Sequence, residues 1–283
     1  MTLTQQVASL ALSALEEEVR TTPKPGLVDL HDSGAHRDMD FRTFLLSAQA
    51  VAPYLGEMFH VAAGWEGSPP SLFTRIRQIG VAAESAMLRA TGGVNTHRGA
   101  IFTLGILSAG AGQCLRREGA LTAGRILELS QDMVAQPLRE ELRAMEGRAP
   151  VTHGERLYAV TGHPGVRGVA IAGFPSLRHT ALPALAEGGQ PDRNSLCLHV
   201  LLKLMTVVED TTVLHRAGQG GLEWMRTQAL AFLTTWPLLT APAMEELSLL
   251  NREFIAQNIS PGGCADLLSA ALFLEGLEKL SDF

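Results

Sequence analysis

The chain has 283 residues, 46% of them hydrophobic and 18% charged, with a formal net charge of −6. That length buries about three quarters of the unfolded surface, and the composition excludes disorder. The acidic balance also excludes a general basic field for nucleic acid or a membrane surface, so any site for a polyanion has to be built locally. Cys114, Cys197 and Cys264 form no C-x-x-C pair, which points to reduced thiols in a cytoplasmic protein rather than a disulfide framework or a zinc site.

Residues 2–20 lack a basic start and run into Glu16-Glu17-Glu18, which suits a surface helix and not a signal peptide. Val7, Leu10, Ala14 and Leu15 share its apolar face. Phe41, Phe44, Leu45 and Ala48 form a second stripe behind a cap at Asp40. Ile76, Ile79, Ala83 and Met87 form a third, following Ser71. Ile101, Leu104, Ser108 and Leu115 form a fourth, within an uncharged run from Gly99 to Leu115 that is too short and interrupted to span a bilayer. Thr122 caps a fifth helix, with Ile126, Leu127 and Val134. Thr152 and Glu155 have capping-box spacing. Leu196 to Val208 is apolar nearly all round and reads as a central helix. The last helix starts near Ser260-Pro261 and runs through Leu267, Leu268, Ala271 and Leu274. Breakers fall at 23–26, 64–70, 92–93, 162–168 and 218–221, none long enough for a flexible linker. The expected fold is all-α, one compact multi-helix domain over residues 1–283.

Charged and polar residues gather at these breakers. In Pro23-Lys24-Pro25-Gly26-Leu27-Val28-Asp29 the prolines fix the backbone, so Lys24 and Asp29 are either held in a site or part of a solvated connection. Gly92-Gly93-Val94-Asn95-Thr96-His97-Arg98-Gly99 leads into a helix start, whose free N–H groups and dipole attract phosphate. It is no Walker loop, and a plain helix–helix turn explains it equally. Ser260-Pro261-Gly262-Gly263-Cys264-Ala265-Asp266 repeats the pattern, with tight helix packing as the alternative. Glu209 and Asp210 follow the apolar run and are expected at its C-terminal end, opposed by the helix dipole. A cation should then compensate Asp210: His215 and Arg216, or a metal. Glu84 borders an apolar stripe, where snorkelling to solvent is the simpler reading. The nine histidines form no H-x-x-x-H pattern.

Taken in order along the chain, these segments resemble the CitG/MdcB family of triphosphoribosyl-dephospho-CoA synthases. The resemblance is carried by Pro23–Asp29, Gly34-Ala35-His36-Arg37-Asp38-Met39, Gly93–Gly99, Gly165-Val166-Arg167-Gly168, Gly173-Phe174-Pro175, Asp210-Thr211-Thr212-Val213-Leu214-His215-Arg216 and Ser260–Gly263. The chain departs from the family at Val169 (usually Glu), Thr212 (Asn), Ala217 (Gly) and Cys264 (Ser).

The resemblance implies a cytoplasmic transferase that joins the triphosphoribosyl group of ATP to the 2′-hydroxyl of 3′-dephospho-CoA and releases adenine. The product is the prosthetic-group precursor for the acyl-carrier subunit of citrate lyase or malonate decarboxylase, passed on to a holo-acyl-carrier-protein synthase. Homo-oligomerisation is left open. Displacing adenine from the anomeric carbon needs a triphosphate cradle, a carboxylate near an oxocarbenium-like centre and a base for the attacking hydroxyl. Lys24, His36, Asn95, Thr96, His97, Arg98, Arg167, His215, Arg216, Ser260, Gly262 and Gly263 are the expected substrate and phosphate contacts. Asp29, Glu84, Asp210 and Asp266 are the expected catalytic carboxylates, with Glu84 and Asp210 as ligands of an expected Mg²⁺. Two other classes stay open: an all-α hydrolase of N-glycosidic nucleotide bonds, and a non-catalytic dephospho-CoA carrier.

Overall fold

The apolar stripes become helices, and most of their starts follow the capping residues. A computed structural model of the chain describes residues 1–145, 150 and 153–280. Among them there are twelve α-helices and no strand. α1 (Leu3–Arg20) opens with a reciprocal capping box between Thr2 and Gln5. Its buried stripe of Val7, Ala11, Ala14, Leu15 and Val19 also carries Glu18. α2 (Phe41–Ala63) starts at Asp40, whose carboxylate accepts the Thr43 N–H at 2.8 Å. α3 (Pro69–Ala90) starts one turn before the expected Ser71. Ser68 is its cap, because Pro69 and Pro70 suit a first turn whose N–H groups have no helical partner.

α4 (Arg98–Glu118) is the buried centre and ends at Gly119 with φ 70°. Small residues let its neighbours close on it: a Cβ at Gly112 would overlap the backbone of α2 at Phe59 and Ala63. α5 (Ala123–Met145) follows, with the Thr122 carbonyl accepting the Ile126 N–H at 2.9 Å. The expected Thr152–Glu155 capping box lies outside the described residues, since Thr152 is not among them. α6 (His153–Thr161) leads to α7 (Gly165–Ile171), which corrects the reading of 162–168 as a simple breaker. The turn occupies Gly162 to Gly165, both with positive φ, and the chain is helical beyond it.

A π-helical turn at Leu177–Ala181 runs into α8 (Leu182–Glu187). α9 (Arg193–Val207) is the expected central helix, capped by Asp192. α10 (Thr211–Thr235) is interrupted at Gly218 (φ 67°, ψ −168°), where a break was expected. α11 (Ala241–Ala256) was not anticipated from the sequence. α12 (Gly262–Leu280) closes the fold, packing on α1, α4 and α9 and so joining the two halves of the chain. No helix among the described residues is long and apolar enough to cross a membrane. This arrangement brings residues at the starts of α4, α10 and α12 to one place.

Candidate active site

Asp210 sits at that place, in a setting opposite to the one expected from sequence. The chain leaves the helix after Val207, and Asp210 is the N-cap of α10 rather than a C-terminal residue of α9. One carboxylate oxygen accepts the N–H groups of Thr212 at 2.9 Å and Val213 at 3.2 Å. The other accepts the Cys264 N–H of α12 at 2.9 Å. Backbone donors and two helix dipoles therefore compensate its charge, and no cationic side chain is needed. Burial still raises its pKa against those donors. Gly263 makes room for it, since a Cβ there would stand 3.0 Å from the carboxylate.

Asp266, just over one turn into α12 from Gly262, faces the start of α4, where the nearby Ala100 N–H favours its ionised form. A Cβ at Gly99 would overlap the Asp266 carboxylate, so glycine is required by this approach. Burial, then the charges of Glu18 and Asp210, hold the Asp266 pKa well above the usual carboxylate range. Backbone donors at the starts of α10 and α12 are therefore engaged by Asp210, and the start of α4 lies against Asp266.

Both aspartates line a cleft of about 670 Å³. Its walls are Glu84 of α3, Asn95, the α4 residues Arg98, Gly99, Phe102 and Thr103, α7 from Gly165 to Arg167 with Val169, the joint from Val208 to Thr212, and Gly263 and Leu267. Asn95 accepts the Arg98 N–H at 3.2 Å, closing the turn into α4. The walls carry an ion pair of Arg98 with Glu84 at 2.9 Å, and Nδ1 of His163 stands 3.2 Å from the Glu209 carboxylate. Arg167 approaches Glu141 at 3.8 Å. Among the described residues no group of three or more His, Cys, Asp or Glu side chains is gathered to hold a metal ion.

Of the residues singled out in the sequence, Glu84, Asn95, Arg98, Arg167, Asp210, Gly263 and Asp266 meet at this cleft. The others do not line it. Lys24 is buried, its ammonium donating to the carbonyl and carboxylate of Glu18. Asp29 is buried and accepts from the Thr22 hydroxyl at 2.8 Å and from the N–H groups of Lys24, His31 and Asp32 at 2.8–3.1 Å. Thr96 donates to Ser47, which pairs with Nδ1 of His97, each at 2.6 Å. The other ring nitrogen of His97 has no hydrogen-bond partner, and burial, then Lys24, lowers the imidazole pKa to about 3. His36 pairs with Ser260 at 2.8 Å, and burial, then Arg216, lowers its pKa. Arg216 binds the Ala35 carbonyl and Asn258. Gly262 packs close to the Thr212 hydroxyl without lining the cleft, and His215 lies in the first part of α10.

Sequence reasoning did not select Thr103, Glu209 or Thr211 as site residues, although Glu209 and Thr211 flank Asp210 and follow from it once its cap is recognised. Thr103 had no signal of its own. Val169 and Thr212, where the chain departs from the family pattern, both line the cleft, and Cys264 donates its N–H to Asp210. Ala217, the fourth such position, lies within α10 and is not part of the cleft lining, so the departures fall only partly at the site.

The family model of ATP:dephospho-CoA triphosphoribosyl transferases, CitG, matches residues 4–283. A probable 2-(5″-triphosphoribosyl)-3′-dephosphocoenzyme-A synthase of Vibrio cholerae serotype O1 is 39% identical over 98% of this chain and 90% of its own length. The synthase of the same name from Escherichia fergusonii is 38% identical over 98% of this chain and 92% of its own length. That of Klebsiella pneumoniae is 37% identical, over 95% and 90% respectively. No solved structure matches the chain. A match across nearly every residue, with relatives aligned over almost their full length, makes this chain a member of the CitG family of ATP:dephospho-CoA triphosphoribosyl transferases.

Proposed function

We infer that the cleft transfers the 5-triphosphoribosyl group of ATP to the 2′-hydroxyl of 3′-dephospho-CoA and releases adenine. The observation that carries this reading is the pair Asp210 and Asp266, fixed at converging helix starts and facing one cleft. The C1′–N bond to adenine breaks as a bond from the 2′-oxygen to C1′ forms. Adenine leaves with the electron pair and takes up one proton, while the hydroxyl gives one up. Asp266 is assigned as the group that accepts the hydroxyl proton, because it is a carboxylate on the cleft wall held close against Gly99 at the start of α4. Asp210, held by backbone donors, supplies fixed negative charge beside the oxocarbenium-like carbon. Arg98 and Arg167 are the cleft's guanidinium donors for phosphate.

A triphosphate entering a cleft lined by Glu84, Glu209, Asp210 and Asp266 meets mostly like charge. Hard carboxylate oxygens suit Mg²⁺, which is bound through one or two carboxylates together with phosphate rather than by an all-protein cage. Glu84 and Asp210 are the residues assigned to hold it, and when bound it would offset the phosphate charge. The same reading takes residues 1–283 as one domain acting in the cytoplasm, with its product passed to a holo-acyl-carrier-protein synthase.

Mass spectrometry of products from ATP, Mg²⁺ and dephospho-CoA tests it. Adenine and the triphosphoribosyl conjugate are expected together, with no adenine from ATP alone. Adenine release without acceptor would identify a hydrolase. No adenine under either condition would leave a carrier.

A further inference from the structure

A second cavity of about 340 Å³ opens beside the cleft, sharing Glu84, Phe102 and Arg167 with it. Met58, Phe73, Ile76, Val81, Ile101 and Ile106 give it an apolar lining. Gly80 of α3 leaves part of the space open, since a Cβ there would meet only the Met58 methyl at 3.7 Å, while Gly105 of α4 lets the Met58 sulfur approach the helix. The cavity follows α4 from Ile101 to Ile106. Six residues of helix separate Ala100, near Asp266, from Ile106, about 9 Å at 1.5 Å per residue. It therefore leads away from the carboxylate pair.

We propose that this cavity takes the pantetheine arm of dephospho-CoA, an inference that rests on the transfer reading above. The acceptor nucleoside must put its 2′-hydroxyl near Asp266 while its diphosphate-linked arm leaves the reaction centre. Arg167 stands at the junction of the two cavities, where the diphosphate joins the arm. A triphosphate does not suit this space, where Glu84 and Glu141 bring negative charge to the apolar walls and Arg77 is paired with Glu141. A purine suits it less well than a flexible chain. The guanidinium of Arg77 lies over the Phe73 ring, 4.6 Å from its centroid, and so covers a ring face on which a base would stack. The methyl and methylene groups of pantetheine match those walls.

The test is Gly80→Leu, which fills the cavity from α3. Met58 alone is near a Cβ at that position, at 3.7 Å, and leucine favours the helix. Direct titrations of the whole protein with dephospho-CoA, ADP and ATP would be compared with wild type. Dephospho-CoA binding is expected to weaken at least about tenfold, the equivalent of two buried methylenes. It should approach the affinity of ADP, which lacks the arm, with ATP binding unchanged. Unchanged dephospho-CoA affinity, or an equal loss for ATP, overturns the assignment. Val81→Trp, at a residue 61% exposed, narrows the mouth without entering the core and repeats the test should Gly80→Leu melt early. These are binding measurements. A wild-type protein that binds dephospho-CoA through this cavity but forms no conjugate would sink the transfer reading and leave the cavity assignment standing.

Discussion

The loop at residues 21–38 and the meeting point of α4, α10 and α12 are built from the same materials: glycines, prolines, a few charges and short polar side chains. Their charges are used differently. In the loop, Lys24 answers Glu18, Asp29 binds backbone N–H groups, and Asn251 accepts the Gly26 N–H at 2.8 Å while donating to Asp32 at 2.8 Å. The buried polar groups Lys24 and Asp29 are matched inside the protein, which pins the loop to α1 and α11. At the meeting point Asp210 accepts three backbone N–H groups and Asp266 stands against the start of α4, and both line the cleft. Asp210 is as buried as Asp29, each 1% exposed, so what sets it apart is its place in a cleft wall rather than its exposure. The matched carboxylate of the loop is suited to stability.

The comparison breaks most visibly at Lys24. Lys24→Met leaves the buried Glu18 carboxylate without its partner, a loss of about 3–5 kcal/mol. Urea unfolding should show that loss while ATP affinity of the folded protein is retained. A stable variant with weakened ATP binding would place Lys24 in the site instead. Gly99→Ala tests the other region. Its Cβ displaces the Asp266 carboxylate, and a misplacement of about 1 Å costs turnover on the order of 100-fold. Steady-state kinetics at unchanged melting temperature would show it, and a wild-type rate would mean that Asp266 needs no fixed position.

A smaller effect separates the two regions by pH. Folded His97 has its pKa lowered to about 3, against about 6.5 when unfolded. The unfolded chain therefore binds the extra proton between these values. The His97 contribution to stability is complete above pH 6.5 and is lost as pH falls towards 3, by at most about 1.4 kcal/mol per unit. His97→Gln should flatten that acid loss in urea titrations at pH 7 and pH 5. An identical slope in both proteins would contradict the burial argument.

Much of the fold was legible because helix signals are local. The Asp40 cap follows from spacing and residue type. Ser68 was available too, had Pro69-Pro70 been given its weight over Ser71. α7 was missed because Gly165 and Gly168 read as breakers, although the first occupies the turn and the second lies within the helix. The site was legible by segment but not by residue. Nothing local distinguishes Lys24 from Arg98. The difference is that Glu18, on the buried stripe of α1, faces one, while the cleft faces the other. Asp210 was misjudged through a boundary of three residues, which reversed the sign of the dipole acting on it.

The central claim is that the carboxylates at the helix starts perform the transfer, and Asp266→Asn tests it most directly. Because burial and neighbouring negative charge disfavour the ionised form of Asp266, a neutral amide should not destabilise the fold. Single-turnover adenine release with ATP and dephospho-CoA, measured beside the melting temperature, is expected to fall at least about 100-fold, near 2.7 kcal/mol, with melting unchanged. A near-normal rate, with or without a lowered melting temperature, would contradict the account and leave Asp266 a packing residue.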